Sequence, residues 1–416
     1  MKVDLISEHA DPRAALGGAD AGGQNVHVAE LATALAARGH DVVVYTRRTS
    51  PAQPRRAFLA PGASVEYVRA GPAAPLPKDT LLPYMAAFAE ELARCWSARP
   101  PDLVHAHFWM SGQAALAAAG GDLPVLQTFH ALGTVKRRWQ GSADTSPACR
   151  VAAEREIGER VDAVVATCSD EVRELRAMGV PAERVAVVPC GVDLGLFRPR
   201  PAVRRGPGTR VLSIGRLVPR KGVDTLVRAL REVPGAELVI AGGGAEDDEA
   251  HRLRDLAAAY GLAGRVRVIG SVPRGRVPEL MRSADVLVSV PWYEPFGIVP
   301  LEAMACGVPV IASGVGGHLD TVAGCGVLVP PRRPQALARA LREVLAHPAR
   351  RRSMGQSGAV RARQGYGWPR VAELTEAVYL SVLRERSGVE SLELFGGGPL
   401  QDRSVRHGGE QPPAAG

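Results

Sequence analysis

Short valine- and leucine-rich runs alternate with amphipathic stretches along most of this chain, and the alternation starts afresh once. In the first half the runs are 2–7, 41–45, 64–68, 103–107, 125–129, 163–168 and 184–188. Between the first two lies a stretch, 27–38, with Val28, Leu31 and Leu35 at helical spacing, and Gly39 follows as a stop signal. After Pro199-Arg200-Pro201 the pattern resumes, with strands predicted over 210–214, 238–241, 266–269, 285–290, 308–312 and 327–329. Strands alternating with helices predict α/β layers, a parallel sheet covered on both faces. The proline- and glycine-rich stretch 198–208 reads as a linker. Two doubly wound domains, 1–198 and 199–370, are therefore expected to enclose a ligand cleft between them. A last helix over 371–386 follows, and the glycine-, proline- and charge-rich segment 387–416 reads as a disordered tail.

One of these strands leads into a distinctive segment. Ala284 to Val290 reads as a buried parallel strand, and it runs into Glu294-Pro295-Phe296-Gly297-Ile298-Val299-Pro300-Leu301-Glu302. Gly297 would let the backbone turn at the entrance of a helix. Glu302 then lies about two turns beyond Glu294 at roughly 3.6 residues per turn, so both carboxylates can point into one cleft. The crevice beyond the carboxyl end of a parallel strand is where open α/β sheets bind ligands. Two glutamates at this spacing also occur on solvated helices. The preceding strand and the Ala305-Cys306-Gly307-Val308-Pro309 flank favour the functional reading.

Composition narrows the remaining options. The chain has 416 residues, enough core for two or three domains, and no apolar run approaches the roughly 18 residues of a membrane span. The segment Met1-Lys2-Val3-Asp4 turns acidic too soon for a signal peptide and reads as a first core strand. Six scattered cysteines include no Cys-x-x-Cys pair, which favours reduced thiols and a cytoplasmic protein. The formal charge of +8 favours anionic ligands. Without a zinc finger, a basic zipper or an aromatic-interleaved basic sheet, a nucleic-acid partner is not expected.

Several loops carry residues suited to holding a diphosphate. Gly17 to Asn25 follows the first strand and opens a helix, so Gly22 and Gly23 amides at a helix N-terminus can approach an anion, although a flexible surface turn would look the same. Arg216 leaves a strand end and Lys221 lies near the next helix start. A guanidinium fork and an ammonium five residues apart can clamp a leaving diphosphate. Gly242-Gly243-Gly244 is a second close-approach turn. His130, after the strand 125–129, is a candidate site residue, as is His107 less clearly, whereas His105 is assigned to the sheet end. Glu246 to Glu249 reads as a solvated acidic helix start rather than a metal site, and no metal is expected.

The Glu294–Glu302 segment, the Gly215-Arg216-x4-Lys221-Gly222 spacing and the Gly-Gly-Gln-Asn-Val turn resemble the retaining glycosyltransferases of family 4, over about residues 1–385. The motifs are closest to the mycothiol-pathway and sucrose-phosphate-synthase-like enzymes of that family. The resemblance implies the GT-B fold: two Rossmann-like parallel-sheet domains facing across a cleft, the first binding the acceptor and the second a nucleotide-diphosphate sugar, with the last helix crossing back to the first domain. It implies that Gly22, Gly23, Asn25, Arg216, Lys221, Gly243, Glu294, Phe296, Gly297, Ile298 and Glu302 contact the donor. His130, Glu294, Arg216 and Lys221 would act on the reaction itself, with Glu302 on the ribose and Glu294 on the sugar hydroxyls. No cofactor beyond the donor is implied.

The acceptor half departs from the pattern. Asp20-Ala-Gly-Gly, His107-Phe-Trp-Met-Ser-Gly and Asp193-Leu-Gly-Leu-Phe-Arg-Pro199 match the mycothiol-pathway enzymes. Those enzymes, however, have tyrosine at the position of Phe108 and threonine at that of Ala131, and both hydroxyls help to hold the acceptor phosphate. Lys78 and Arg150 match two further acceptor-binding cations. The resemblance thus implies a small polar acceptor, with an anionic one left open and inositol phosphate disfavoured. A lipid acceptor with peripheral membrane contact, a homodimer, a GT-B epimerase or phosphorylase, and a non-catalytic nucleotide-sugar-binding protein remain open.

Overall fold

The computed structural model describes residues 1–14, 22–201, 203, 208–244 and 247–388. Its first sheet is built from β1 (Lys2–Ile6), β2 (Asp41–Arg47), β3 (Arg56–Ala60), β4 (Ala63–Val68), β5 (Leu103–His107), β6 (Val125–Thr128), β7 (Ala163–Ala166) and β8 (Val185–Val187), in the order β3-β4-β2-β1-β5-β6-β7-β8. The second contains β9 (Thr209–Ile214), β10 (Ala236–Ala241), β11 (Val266–Gly270), β12 (Val286–Ser289), β13 (Val310–Ser313) and β14 (Val327–Val329), in the order β11-β10-β9-β12-β13-β14. Every pairing is parallel except β3 with β4. The sequence pattern did not announce β3. It is a half-exposed edge strand that begins on Arg56 and carries the exposed Phe58, so it lacks the apolar run of a central strand.

In each sheet the strand order reverses once, between β1 and β5 in the first and between β9 and β12 in the second. Ligands of doubly wound sheets bind outside the carboxyl ends of the strands at such a switch point. The segments leaving these strands contain most of the candidate residues. The two domains are joined across the seam by polar contacts from neighbouring segments: Gln140 Nε2 donates to the Tyr293 hydroxyl (2.5 Å), and the Ser169 amide and hydroxyl both donate to Asp320 (2.6 Å each).

The helix expected from 371 begins at Trp368, because Gly367 is extended and Pro369 fits the first turn, where its missing N–H costs nothing. Its apolar face, with Val371, Val378 and Val382, packs into the core that also contains Val28, Leu31 and Leu35 of the helix Gly23–Ala37. Arg386 Nε reaches Asp162 Oδ1 (2.7 Å). The helix therefore returns to the first sheet. Residues 202 and 204–207 of the linker and the tail beyond Gly388 lie outside the described residues.

Candidate functional site

The second sheet supplies a cation and a carboxylate that meet. After β9 the chain passes Arg216 and forms a short turn, Pro219–Lys221. Gly222 follows at φ +67°, and a Cβ there would lie 2.1 Å from the Val290 carbonyl oxygen. Only glycine allows that turn to rest against the end of β12. The Trp292 amide donates to the Arg220 carbonyl (2.8 Å), which fixes the register of the two loops. Lys221 Nζ is thereby held in an ion pair with the Glu294 carboxylate. Burial would raise the Glu294 carboxyl, but Lys221, with His318 and Arg220, lowers it to about 2. Burial also lowers the Lys221 ammonium, and Glu294 opposes that shift.

Glu302 has a different environment. It lies in the helix Ile298–Ala305, which Gly297 opens at φ +71°, so the turn anticipated at Gly297 is present. Its Oε1 accepts from Arg274 Nη1 (2.9 Å). Arg274 does not offset the burial, and the Glu302 carboxyl is pushed up to about 7. The two glutamates thus have separate partners and opposite shifts.

The first sheet faces this loop. A Cβ on Gly22 would lie 3.8 Å from the Arg216 guanidinium carbon, and one on Gly23 would lie 3.3 Å from Ile298 Cδ1. The Phe296 ring lies 5.0 Å from His130 and 6.0 Å from His27. Gly22, Gly23, Arg216, Phe296 and Ile298 therefore meet at the seam. Asn25 Oδ1 accepts from the Gly22 amide (3.0 Å) and its Nδ2 donates to the Asp11 carbonyl (2.9 Å). Buried there, it caps the start of the helix and fixes the Gly22 turn. Gly17 to Ala21 lie outside the described residues. Gly243 sits at φ +67° beside Leu217 and Asp247, and Asp247 caps the helix Asp248–Ala259. Glu249 in the expected acidic start is not solvated: it is buried and paired with Arg252 at 2.6 Å.

Three of the acceptor candidates cluster. The Arg150 guanidinium stands 5.0 Å over the Phe108 ring, and its Nη2 donates to the Ala131 carbonyl (2.5 Å). Its Nε is paired with Glu154 (2.7 Å), and its Nη1 reaches Ser146 Oγ (3.1 Å). Arg150 is therefore a buried, neutralised strut as well as a candidate cation. Lys78 begins a turn whose next residue, Asp79, lies 3.5 Å from Lys136 Nζ, and Lys136 also meets Asp144 at 3.0 Å. A cavity of about 260 Å³ adjoins this region, lined by Ala131, Leu132, Trp139, Tyr293, Glu294 and Glu171 among others.

Sequence reasoning missed Arg274, His9 and the Gly316-Gly317 turn. His9 follows β1 as His130 follows β6. Its ring meets Phe108 edge-on at 4.8 Å, and its Nδ1 pairs with Glu8 (2.7 Å). Its position one strand-end away from a recognised histidine was the available signal. The Gly317 amide donates to the Glu294 carbonyl (2.9 Å), so this turn braces the carboxylate loop from behind. Arg274 had no signal beyond a basic Pro-Arg-Gly-Arg stretch. Among the described residues, no three His, Cys, Asp or Glu side chains are grouped to hold a metal, and no helix is long and apolar enough to cross a membrane.

Comparison with known proteins bears on the whole chain. Residues 21–196 match the model for Glycosyltransferase Family 4, and residues 200–361 that for Glycosyl transferases group 1. A D-inositol 3-phosphate glycosyltransferase from Kineococcus radiotolerans is 40% identical over 421 residues, covering 93% of this chain and 97% of the relative. One from Acidothermus cellulolyticus is 37% identical, covering 92% and 91%. Sucrose-phosphate synthase from Thermosynechococcus elongatus superposes with a TM-score of 0.85 at 34% identity, over 92% of this chain and 100% of that one. Anabaena Alr3699/HepE, in complex with UDP and glucose, shares the fold at a TM-score of 0.71 and 20% identity, covering 92% and 100%. Two parallel-sheet domains of GT-B type, these family matches and these relatives lead to one conclusion: the chain belongs to glycosyltransferase family 4, with a group 1 glycosyl transferase domain in its second half, and is a glycosyltransferase.

Proposed function

We propose that the protein moves a sugar, with retention of configuration, from a nucleotide-diphosphate sugar to a small phosphorylated polyol or sugar other than inositol phosphate. The observation that carries this reading is the meeting of Arg216, Gly22 and the Lys221–Glu294 pair at the seam between the two switch points. Arg216 and Lys221 would neutralise charge growing on the departing diphosphate. Preorganised groups of this kind are each worth about 3–4 kcal/mol of transition-state stabilisation. Glu294 would accept from hydroxyls of the transferred sugar, and Glu302 from the ribose. The bond from the anomeric carbon to the diphosphate oxygen breaks, and the acceptor oxygen bonds to the same face. The acceptor proton passes to the departing phosphate oxygen.

The relatives named for inositol 3-phosphate and sucrose phosphate support a phosphorylated acceptor. The phenylalanine and alanine at positions 108 and 131 lack the hydroxyls that would favour inositol phosphate. The test incubates the protein with uridine, guanosine and adenosine diphosphate sugars against inositol phosphate, hexose phosphates and unphosphorylated polyols. An α-linked product on a phosphorylated acceptor from an α-linked donor is expected. A β-linked product would overturn retention, and transfer only to unphosphorylated acceptors would overturn the acceptor class.

A further inference from the structure

Four histidines, His27, His105, His107 and His130, are buried together behind the seam, and burial pushes each well below its usual titration range. They are therefore neutral, with one N–H each. For His105 the hydrogen-bond directions can be assigned. Thr128 Oγ1 donates to the Val165 carbonyl (3.0 Å), so it accepts from His105 Nε2–H (2.9 Å). The bare Nδ1 then accepts from the Tyr379 hydroxyl (2.8 Å). His105 is thus saturated, and its role is structural.

His107 and His130 differ. His107 Nδ1 and His130 Nε2 are 2.9 Å apart, and the remaining nitrogens, His107 Nε2 and His130 Nδ1, are buried without a partner. One proton lies between the rings, so the tautomer of one dictates that of the other. A buried polar atom without a partner is uncommon and calls for an explanation. The local backbone is also unusual. His130 stands at φ +62° and Phe108, next to His107, at φ +85°, two of the three non-glycine residues with positive φ among those described. Conformations of this kind cost of the order of 1–3 kcal/mol and cluster at functional sites.

We propose that His107 is a positioning residue for His130: its Nδ1 fixes the ring plane and tautomer of His130 and leaves His130 Nδ1 as the one ring nitrogen of that side chain not engaged by the protein. This inference rests on the reading of His130 as a site residue. His107 would touch no substrate itself. The Gln24 amide, which donates to the His107 carbonyl (3.2 Å), anchors its backbone.

Substitutions of His107 test the inference, because asparagine places an amide near the Nδ1 position whereas glutamine places one near Nε2. Turnover is read with the best donor and acceptor pair from the panel above. His107→Leu and His107→Gln should lower kcat about tenfold, the scale of one lost hydrogen bond, with donor KM unchanged. His107→Asn should restore most of kcat. Nitrogen NMR of the full chain should show a single neutral His130 tautomer in the parent and in His107→Asn, lost in His107→Gln. Equal loss in the asparagine and glutamine variants, or normal kcat in His107→Gln, would overturn the proposal. His130→Ala is measured alongside. If it is fully active, the reading of His130 itself fails; if it is inactive while His107→Gln is normal, only the positioning role fails.

Discussion

Glu294 and Glu302, eight residues apart, are driven in opposite directions by their surroundings: Lys221 lowers the first to about 2, and burial raises the second to about 7 against an ordinary 4.5. Glu294 is therefore ionised throughout the physiological range. Glu302, beside Arg274 and influenced by Asp193, changes charge near neutrality. If the ionised carboxylate accepts the donor ribose hydroxyls, donor affinity should rise as pH increases through about 7. Glu302→Gln should bind more weakly and with a flat profile. Donor affinity measured by calorimetry across that range checks this, and a falling curve in the parent would count against Glu302 as the ribose acceptor.

The same shifts carry signs for stability. Glu302 holds its proton more tightly in the folded protein, so its contribution is full below about 4.5 and lost as pH rises through about 7. The lowered Glu294 contributes above about 4.5, and that contribution is lost as pH falls toward about 2. Lys221→Ala should therefore abolish transfer and also destabilise the fold, since it leaves Glu294 buried without its cation. Lys221 keeps 23% of its side chain exposed, so the cost should be about 2–3 kcal/mol, below that of a fully buried pair. Thermal melts of Lys221→Ala and Lys221→Ala/Glu294→Gln distinguish the two contributions: the double variant should recover part of the loss.

Ser169 and Asp320 lie on opposite sides of the seam, with the carboxylate at the start of the helix Ser169–Ala177. An anion at a helix N-terminus is stabilised by its unpaired amides. Asp320→Ala should loosen the closed arrangement without unfolding either domain. Small-angle scattering should show a larger radius of gyration for the variant without ligand, reversed by saturating donor. Identical scattering curves would remove this contact from the account of closure.

If Arg216 and Lys221 neutralise the departing diphosphate as proposed, no metal is needed for that step, and transfer should survive excess chelator. Complete loss of activity, restored by magnesium or manganese, would point to a metal-bound diphosphate.

What could be read in advance followed from local chemistry. Buried parallel strands announce themselves as apolar runs, so β5, β6 and β12 were legible, and the Glu294–Glu302 and Arg216–Lys221 spacings lie within single loops. Contacts between distant segments were not. Nothing near Glu302 indicates that Arg274 folds onto it, because that pairing depends on how the turn Arg274–Arg276 packs against the helix Ile298–Ala305. The capping role of Asn25 was hidden for the same reason: a polar residue in a glycine-rich turn looks free until its partners, Gly22 and Asp11, are seen. The edge strand β3 had too little apolar surface to stand out.

The proposed acceptor site yields the sharpest test. The Arg150 guanidinium stands 5.0 Å over the Phe108 ring and His9 meets that ring edge-on at 4.8 Å, while Ala131 offers Arg150 its backbone carbonyl. Neither side chain can donate a hydrogen bond to a phosphate. A hydrogen bond to a charged group is worth about 1.5–3 kcal/mol, so two missing donors should weaken inositol phosphate binding by roughly two to four orders of magnitude. Phe108→Tyr/Ala131→Thr should restore both hydroxyls beside Arg150 and raise kcat/KM for inositol phosphate, with donor KM unchanged. The single variants should each recover part of the gain, and a gain beyond their product would show that the two hydroxyls share one phosphate. Arg150→Met in the parent should impair every phosphorylated acceptor, and Arg150→Lys should not rescue it, because one ammonium cannot serve both Glu154 and the Ala131 carbonyl in the geometry of the guanidinium fork. Efficient transfer to inositol phosphate by the unmodified protein would refute the acceptor assignment. An unchanged double variant would place the acceptor phosphate elsewhere in the seam.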